Sequence, residues 1–161
     1  MVRKITDDIE IENARLIFKN FRGEESKYNR SGARNFCVVI DDPEEAKQLS
    51  ADGWNIKELK SRDPEDEPEY CLKVNVAYGS RSQPRITMIV GNKRVTLDED
   101  TVSCLDFAEI ISADVILRPY NYEVRGESGV SAYLRTMYVT IREDKFAAKY
   151  EHLEGDSNDS Y

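Results

Sequence analysis

Asp114–Ile141, DVILRPYNYEVRGESGVSAYLRTMYVTI, sets the expectation for the whole chain. Two runs rich in β-branched and aromatic residues flank Arg125-Gly126-Glu127-Ser128-Gly129, whose glycines can take the positive φ of a bulged hairpin loop. Two long antiparallel strands are therefore expected. Their decoration exceeds what burial requires, because Tyr120, Tyr122, Tyr133 and Tyr138 are interleaved with Arg118, Arg125, Arg135 and Arg142. Rings that stack on bases and cations that neutralise phosphates are what a surface for single-stranded nucleic acid needs. The alternative is tyrosines covering a sheet edge with their hydroxyls in water, beside arginines that solubilise the outer face. Pleating puts Tyr120 and Tyr122 on the face of Arg118. It puts Tyr133 and Tyr138 on opposite faces, so without a bulge at least one of them is core.

The rest of the chain reads as further strands. Tyr70–Tyr78 (YCLKVNVAY) alternates cleanly, Gly79–Pro84 is a turn carrying Arg81, and Arg85–Val90 is expected to return as the partner strand. Gly91-Asn92 leads into a strand at Lys93–Leu97, and Asp98 or Asp100 can cap a short helix before Ile111. Ile9–Phe21 reads as one long strand, with Ala14, Leu16 and Phe18 on one face and Arg15, Ile17, Lys19 and Phe21 on the other. Arg22–Arg34 has loop composition, and Asn35–Ile40 is a nearly continuous apolar run suited to a central strand.

Between these strands the punctuation is helical. Asp41 or Asp42 can cap a helix that has Pro43 in its first turn, acidic Glu44 and Glu45 at its positive end, and Gly53 as its stop. Trp54 then either plugs the space between helix and sheet or stacks on a base. Ser61–Glu69 is an acidic loop, and Glu143–Tyr150 suits a brief last helix. Many strands, one or two short helices and no β-α-β alternation predict a mainly β protein. An OB-like antiparallel barrel of five or so strands fits the count. The domain is expected over residues 9–150, with residues 1–8 as an N-terminal arm and residues 151–161 as a flexible acidic tail.

The formal charge of -8 does not exclude an anionic ligand. Residues 41–69 hold eleven acidic and four basic side chains, the last eleven residues hold four acidic and no basic ones, and the remainder has sixteen acidic against nineteen basic. The three cysteines are far apart and odd in number, consistent with reduced thiols, and the single His152 leaves no histidine cluster for a metal. Neither a membrane span nor a signal-peptide core is present in the sequence, so the protein is expected in the cytoplasm of its host. No cofactor is implied. Asp98, Glu99 and Asp100 lack the spacing of a calcium loop, there is no phosphate-cradling glycine loop, and no nucleophile has a histidine partner. A binding module rather than an enzyme is expected, with a carboxylate-only metal nuclease as a minor alternative.

The candidate nucleic-acid contacts are Lys19, Phe21, Arg22, Tyr28, Arg30, Arg81, Arg85, Arg118, Tyr120, Tyr122, Arg125, Tyr133 and Arg135. In the tail, Glu154, Asp156, Asp159 and Tyr161 could compete with nucleic acid for the groove and present a ring and carboxylate to partners, or simply be a solvated end. The contrasting class is an acidic interaction protein, such as a phage-encoded inhibitor that binds a host nucleic-acid enzyme through residues 41–69.

Four segments carry a family resemblance: ARLIFKNF (14–21), GARNFCVVIDDPEEAKQL (32–49), GWNIK (53–57) and RPYNYEVRGESGVSAYLRTMYV (118–139). From about Asn13 to Tyr150 the chain resembles phage and prophage single-stranded-DNA-binding proteins, and with its acidic tail it is similar to the T7-type replication proteins of that class. The resemblance implies an OB fold and the coating of single strands during replication or recombination. It also implies an acidic tail whose terminal aromatic contacts replication or recombination proteins and moderates DNA binding. A homodimer is among the assemblies open to such a protein.

Overall fold

The computed structural model describes residues 5–27, 29–59, 65, 67–79 and 83–143. In chain order these form β1 (Ile9–Ala14), β2 (Leu16–Asn20), β3 (Arg34–Ile40), α1 (Pro43–Ala51), β4 (Ile56–Leu59), β5 (Glu69–Val76), β6 (Arg85–Val90) and β7 (Lys93–Leu97). A 3-10 helix (Val102–Asp106), β8 (Ile110–Val124) and β9 (Glu127–Ile141) complete them. The protein is mainly β, as the strand count predicts. Among the described residues no helix is long and apolar enough to cross a membrane. The acidic loop is described only in part, and the expected last helix and the tail lie outside the described residues.

Strands pair in the order β1-β8-β9-β5-β3-β2, with β4 beside β5, and β6 beside both β9 and β7. All ladders are antiparallel except β5 with β9 and β6 with β9. This path is open and holds more strands than the five or so expected of an OB-like antiparallel barrel: β1 and β2 stand at its two ends and no ladder joins them. They are nevertheless consecutive in the chain. The single long strand expected over Ile9–Phe21 is divided at Arg15, and within its two halves the positive φ of Asn13 and Phe18 (52° and 51°) coincides with shifts of register. A second correction concerns β6, which pairs with β7 and lies parallel to β9 rather than returning against β5.

The helix has the expected ends. The Asp42 carboxylate accepts the Glu44 amide at 3.0 Å, Pro43 opens the first turn, and Gly53 at φ 107° follows the last. Only Ala46 and Leu49 are buried on it, a narrow stripe that lays α1 on the sheet. Trp54, 3 % exposed and bridged to Val130, is the plug and not a stacking ring.

β8 and β9 turn through two residues, Arg125 and Gly126, both at positive φ (53° and 81°), between the paired Val124 and Glu127. That is a tight hairpin turn rather than the five-residue bulged loop. Gly129 lies inside β9 opposite Tyr122, where an added Cβ would sit 2.5 Å from the Tyr122 hydroxyl. The bulge is elsewhere. Ile116 pairs with Thr136 and Leu117 with Leu134, which leaves Arg135 without a partner across the ladder. The core-facing positions of β9 therefore switch from Val130, Ala132 and Leu134 to Met137 and Val139, all at most 3 % exposed. Tyr133 and Tyr138 both end up on the face turned away from the core.

Candidate nucleic-acid interface

Across the outer face, the ladder registers align one row over five strands: Arg118 opposite Tyr133, Tyr133 opposite Asn75, Asn75 opposite Asn35, and Asn35 opposite Asn20. Cross-strand partners share a face, so this row is a continuous strip from β8 to β2. At its β8 end the Arg118 guanidinium lies 5.3 Å from the centre of the Tyr133 ring, and Tyr120 meets Tyr133 edge-on at 5.7 Å. The two contacts fix Tyr133 while leaving Tyr120 52 % exposed. Tyr122 donates its hydroxyl to Asn55 Oδ1 at 3.1 Å, which sets its ring beside the turn.

At the β2 end the strip opens into a groove of about 520 Å³, lined by Phe18, Lys19, Arg22, Lys57, Lys73 and Phe107 among others, with Cys37 on its wall. Phe18 and Phe107 are 67 % and 77 % exposed. Leaving such rings in water forgoes roughly 1.5–3 kcal/mol of burial each, so they are candidates for covering by a ligand. Phe18 is turned outward by its positive φ, and Phe107 follows the 3-10 helix, with the Arg22 guanidinium 5.3 Å from its ring. The Asp106 carboxylate accepts the amides of Phe21 at 2.7 Å and Arg22 at 2.9 Å, which ties this helix to the end of β2. Among the described residues Lys57 and Lys73 have no carboxylate partner. Their charges act on the Cys37 thiol, but burial outweighs them and, with help from Cys71, pushes that thiol up to about 11.

The loop between β2 and β3 is organised by asparagines. Asn29 Nδ2 donates to the carbonyls of Glu24, Arg30 and Ala33, Asn35 Nδ2 donates to Asn29 Oδ1, and Asn20 exchanges two hydrogen bonds with the Glu24 backbone. This network holds one rim of the groove.

The structure brings some expected contacts together and removes others. Arg118, Tyr120, Tyr122 and Tyr133 share the strip, Arg22 borders the groove, and Arg30 and Arg125 are exposed on the loops nearby. Phe21 is a correction: it is fully buried and stacked on Phe36 at 5.1 Å, because the register shift at the positive φ of Phe18 turns the residue that follows β2 inward. Lys19 borders the groove, where its ammonium donates to the carbonyls of Leu105 and Ala108, both at 2.8 Å, and pins the 3-10 helix to β2. Arg135, the bulged residue, pairs with Asp8 at 2.9 Å. Arg85 stands opposite Thr136, outside the strip. Tyr28, Arg81 and the tail residues lie outside the described residues.

The groove also gathers Phe18, Phe107, Lys57 and Lys73, which the sequence reading did not single out. Lys73 was the most visible, as the only charged residue within the apolar alternation of YCLKVNVAY. Phe107 carried no periodic signal.

A family model of a phage ssDNA-binding domain matches residues 1–159. No curated protein sequence matches the chain. Among solved structures, the single-stranded DNA-binding protein from bacteriophage Enc34 superposes with a TM-score of 0.53 at 12 % identity, over 89 % of this chain and 90 % of that one. Its C-terminal truncation gives 0.53 at 12 % identity over 86 % of each chain. Its complex with ssDNA gives 0.53 at 13 % identity, over 86 % and 87 %. At these identities the likeness is one of fold.

Proposed function

The chain belongs to the phage ssDNA-binding domain family, and we propose that it binds single-stranded DNA without strong sequence preference during phage replication or recombination. Its activity is binding, not catalysis. The observation that carries the proposed binding path is the unbroken strip from Tyr120 and Tyr133 to the groove of Phe18 and Phe107, with Arg118, Arg22, Lys57 and Lys73 along it. In this reading the bases stack on the exposed rings at roughly 1–3 kcal/mol each, and the cations neutralise the phosphates between them. Every base has a π-face and the cations contact only the backbone, so little sequence discrimination follows.

An OB-like curl of the sheet is part of the same proposal. It is supported by β1 and β2, the two ends of the strand path, being separated only by Arg15, and by the Val39 amide donating to the Arg15 carbonyl at 3.0 Å. The domain is taken as residues 9–150, after a short arm and before the acidic tail. Residues 151–161 span up to roughly 36–40 Å when extended. The domain itself has a radius of gyration of roughly 15 Å, so Glu154, Asp156, Asp159 and Tyr161 can compete for the groove or contact replication or recombination proteins.

Fluorescence anisotropy with a labelled oligonucleotide tests the reading. The log of affinity should fall with log salt at about -0.7 per phosphate neutralised, and a chain ending at Tyr150 should bind more tightly. Absence of binding at low salt would sink the DNA-binding proposal, and unchanged affinity after truncation would remove the tail's role alone.

A further inference from the structure

Between the aromatic end of the strip and the groove, the outer face carries side-chain amides whose orientation the surrounding backbone decides. Asn75 of β5 and Asn35 of β3 are cross-strand partners there, both half-buried. Asn75 Nδ2 donates to the Ala132 carbonyl at 3.2 Å. Asn35 Nδ2 donates to Asn29 Oδ1 at 2.8 Å and to the Ala33 carbonyl at 3.4 Å. Asn29 commits its own Nδ2 to three backbone carbonyls, so its oxygen is the amide atom that faces Asn35. A carbonyl accepts and never donates, so neither Asn75 nor Asn35 can be flipped without losing these bonds. Both Oδ1 atoms are thereby left as acceptors with no donor among the described residues. Neither is enclosed, since among those residues the Tyr78 hydroxyl is the one buried side-chain polar atom without a partner. Asn20, next in the row, differs, because its two amide atoms close on the Glu24 backbone.

We propose that this pair of acceptors gives the strip a base preference: it takes the exocyclic amino group of cytosine or adenine and disfavours thymine and uracil. The inference rests on the DNA path proposed above and adds a composition bias to it, well short of sequence recognition. Tyr133 stands opposite Asn75 on its other side, so a base stacked against that ring has an edge within reach of the pair.

The spacing of the pair selects the ligand. Cβ atoms of cross-strand partners stand about 4.5–5.5 Å apart. Two hydrogen bonds of about 2.9 Å from the diverging hydrogens of one planar amino group end on acceptors about 5 Å apart. One amino group therefore bridges the two strands with both of its hydrogens. Thymine and uracil put an acceptor, O4, where cytosine carries that group, so their oxygen would face two amide oxygens. A ribose 2′-hydroxyl is the other donor that a single strand can bring, and it is indifferent to base identity.

Anisotropy titrations of the full chain with dC and dU oligomers of equal length test the inference, at a slightly alkaline pH that keeps cytosine neutral. Uracil lacks the thymine methyl, so the two oligomers differ only at the hydrogen-bonding edge. The wild type should bind dC roughly 3- to 10-fold more tightly, by the same factor at every salt concentration because no counterion is involved. Asn75→Ala should bring that ratio below about twofold. Asn75→Asp loses the same tie to Ala132 but keeps an acceptor oxygen, and it should retain the preference. Because a ratio is read, any loss of folded protein affects both oligomers alike and cancels. Equal binding of dC and dU by the wild type would overturn the inference and leave the DNA-binding reading standing, whereas binding of neither would sink both. A ratio that survives Asn75→Ala, or that is lost equally in Asn75→Asp, would overturn the assignment to the amide oxygens. An rU oligomer bound as tightly as dC would give the acceptors to the ribose hydroxyl and overturn the base preference.

Discussion

Phe107→Ala separates a ring kept for a ligand from one kept for the fold. At 77 % exposure the side chain buries little, and its described ring contact is with the Arg22 guanidinium. An exposed cation–π contact is worth about 0.5–1 kcal/mol, so the urea midpoint should move only slightly. The loop itself is held by the Asp106 carboxylate on the Phe21 and Arg22 amides, which the substitution leaves in place. Stacking of one base on the ring contributes about 1–3 kcal/mol, so affinity for an oligonucleotide should drop roughly 5- to 150-fold. Because stacking involves no counterion, the drop should be the same factor at every salt concentration, giving a line parallel to that of the wild type on a log–log plot. Anisotropy titrations at four or five salt concentrations measure both quantities. A change of less than roughly twofold in a folded variant would refute the claim that the groove's exposed rings carry bases.

Other consequences differ in what they move. Lys57→Gln with Lys73→Gln should flatten the same salt plot by about 0.7 for each phosphate that is no longer neutralised, and an unchanged slope would take both lysines out of the interface. Phe21→Ala should cost about 3–5 kcal/mol in urea unfolding, since the ring is fully buried against Phe36; a loss below about 1 kcal/mol would contradict its place in the core. Cys37 gives a pH dependence whose sign follows from its raised value. Burial favours the protonated thiol in the fold, so its stabilisation is complete below the ordinary value of 9.0 and is lost as pH rises toward about 11. Wild type should therefore lose more stability than Cys37→Ala between pH 9 and 11, and identical slopes would exclude the effect.

The long hairpin was legible because its apolar alternation runs through both arms, and the helix because Asp42, Pro43 and Gly53 mark both of its ends. What escaped were single-residue departures from alternation. The positive φ of Phe18 exposes that ring and buries Phe21, the reverse of a regular strand. The bulge at Arg135 brings Tyr133 and Tyr138 to one face, which strict pleating forbids. Nor does local pattern specify which strand is a partner: β6 looks like the return arm of a hairpin with β5, and it lies parallel to β9. Lys73 and Asn75 were visible on an outward face, but the row that joins Asn75 to Tyr133 and Asn35 exists only once three strands are placed side by side.

The path of the DNA is the central claim, and photo-cross-linking tests it most directly. A bromodeoxyuridine-substituted oligonucleotide bound to the full chain, irradiated and mapped by mass spectrometry, should attach at Phe18, Phe107, Tyr120 and Tyr133. Attachment confined to Tyr138 or to the side of the sheet that carries α1, with none on the strip or in the groove, would contradict it.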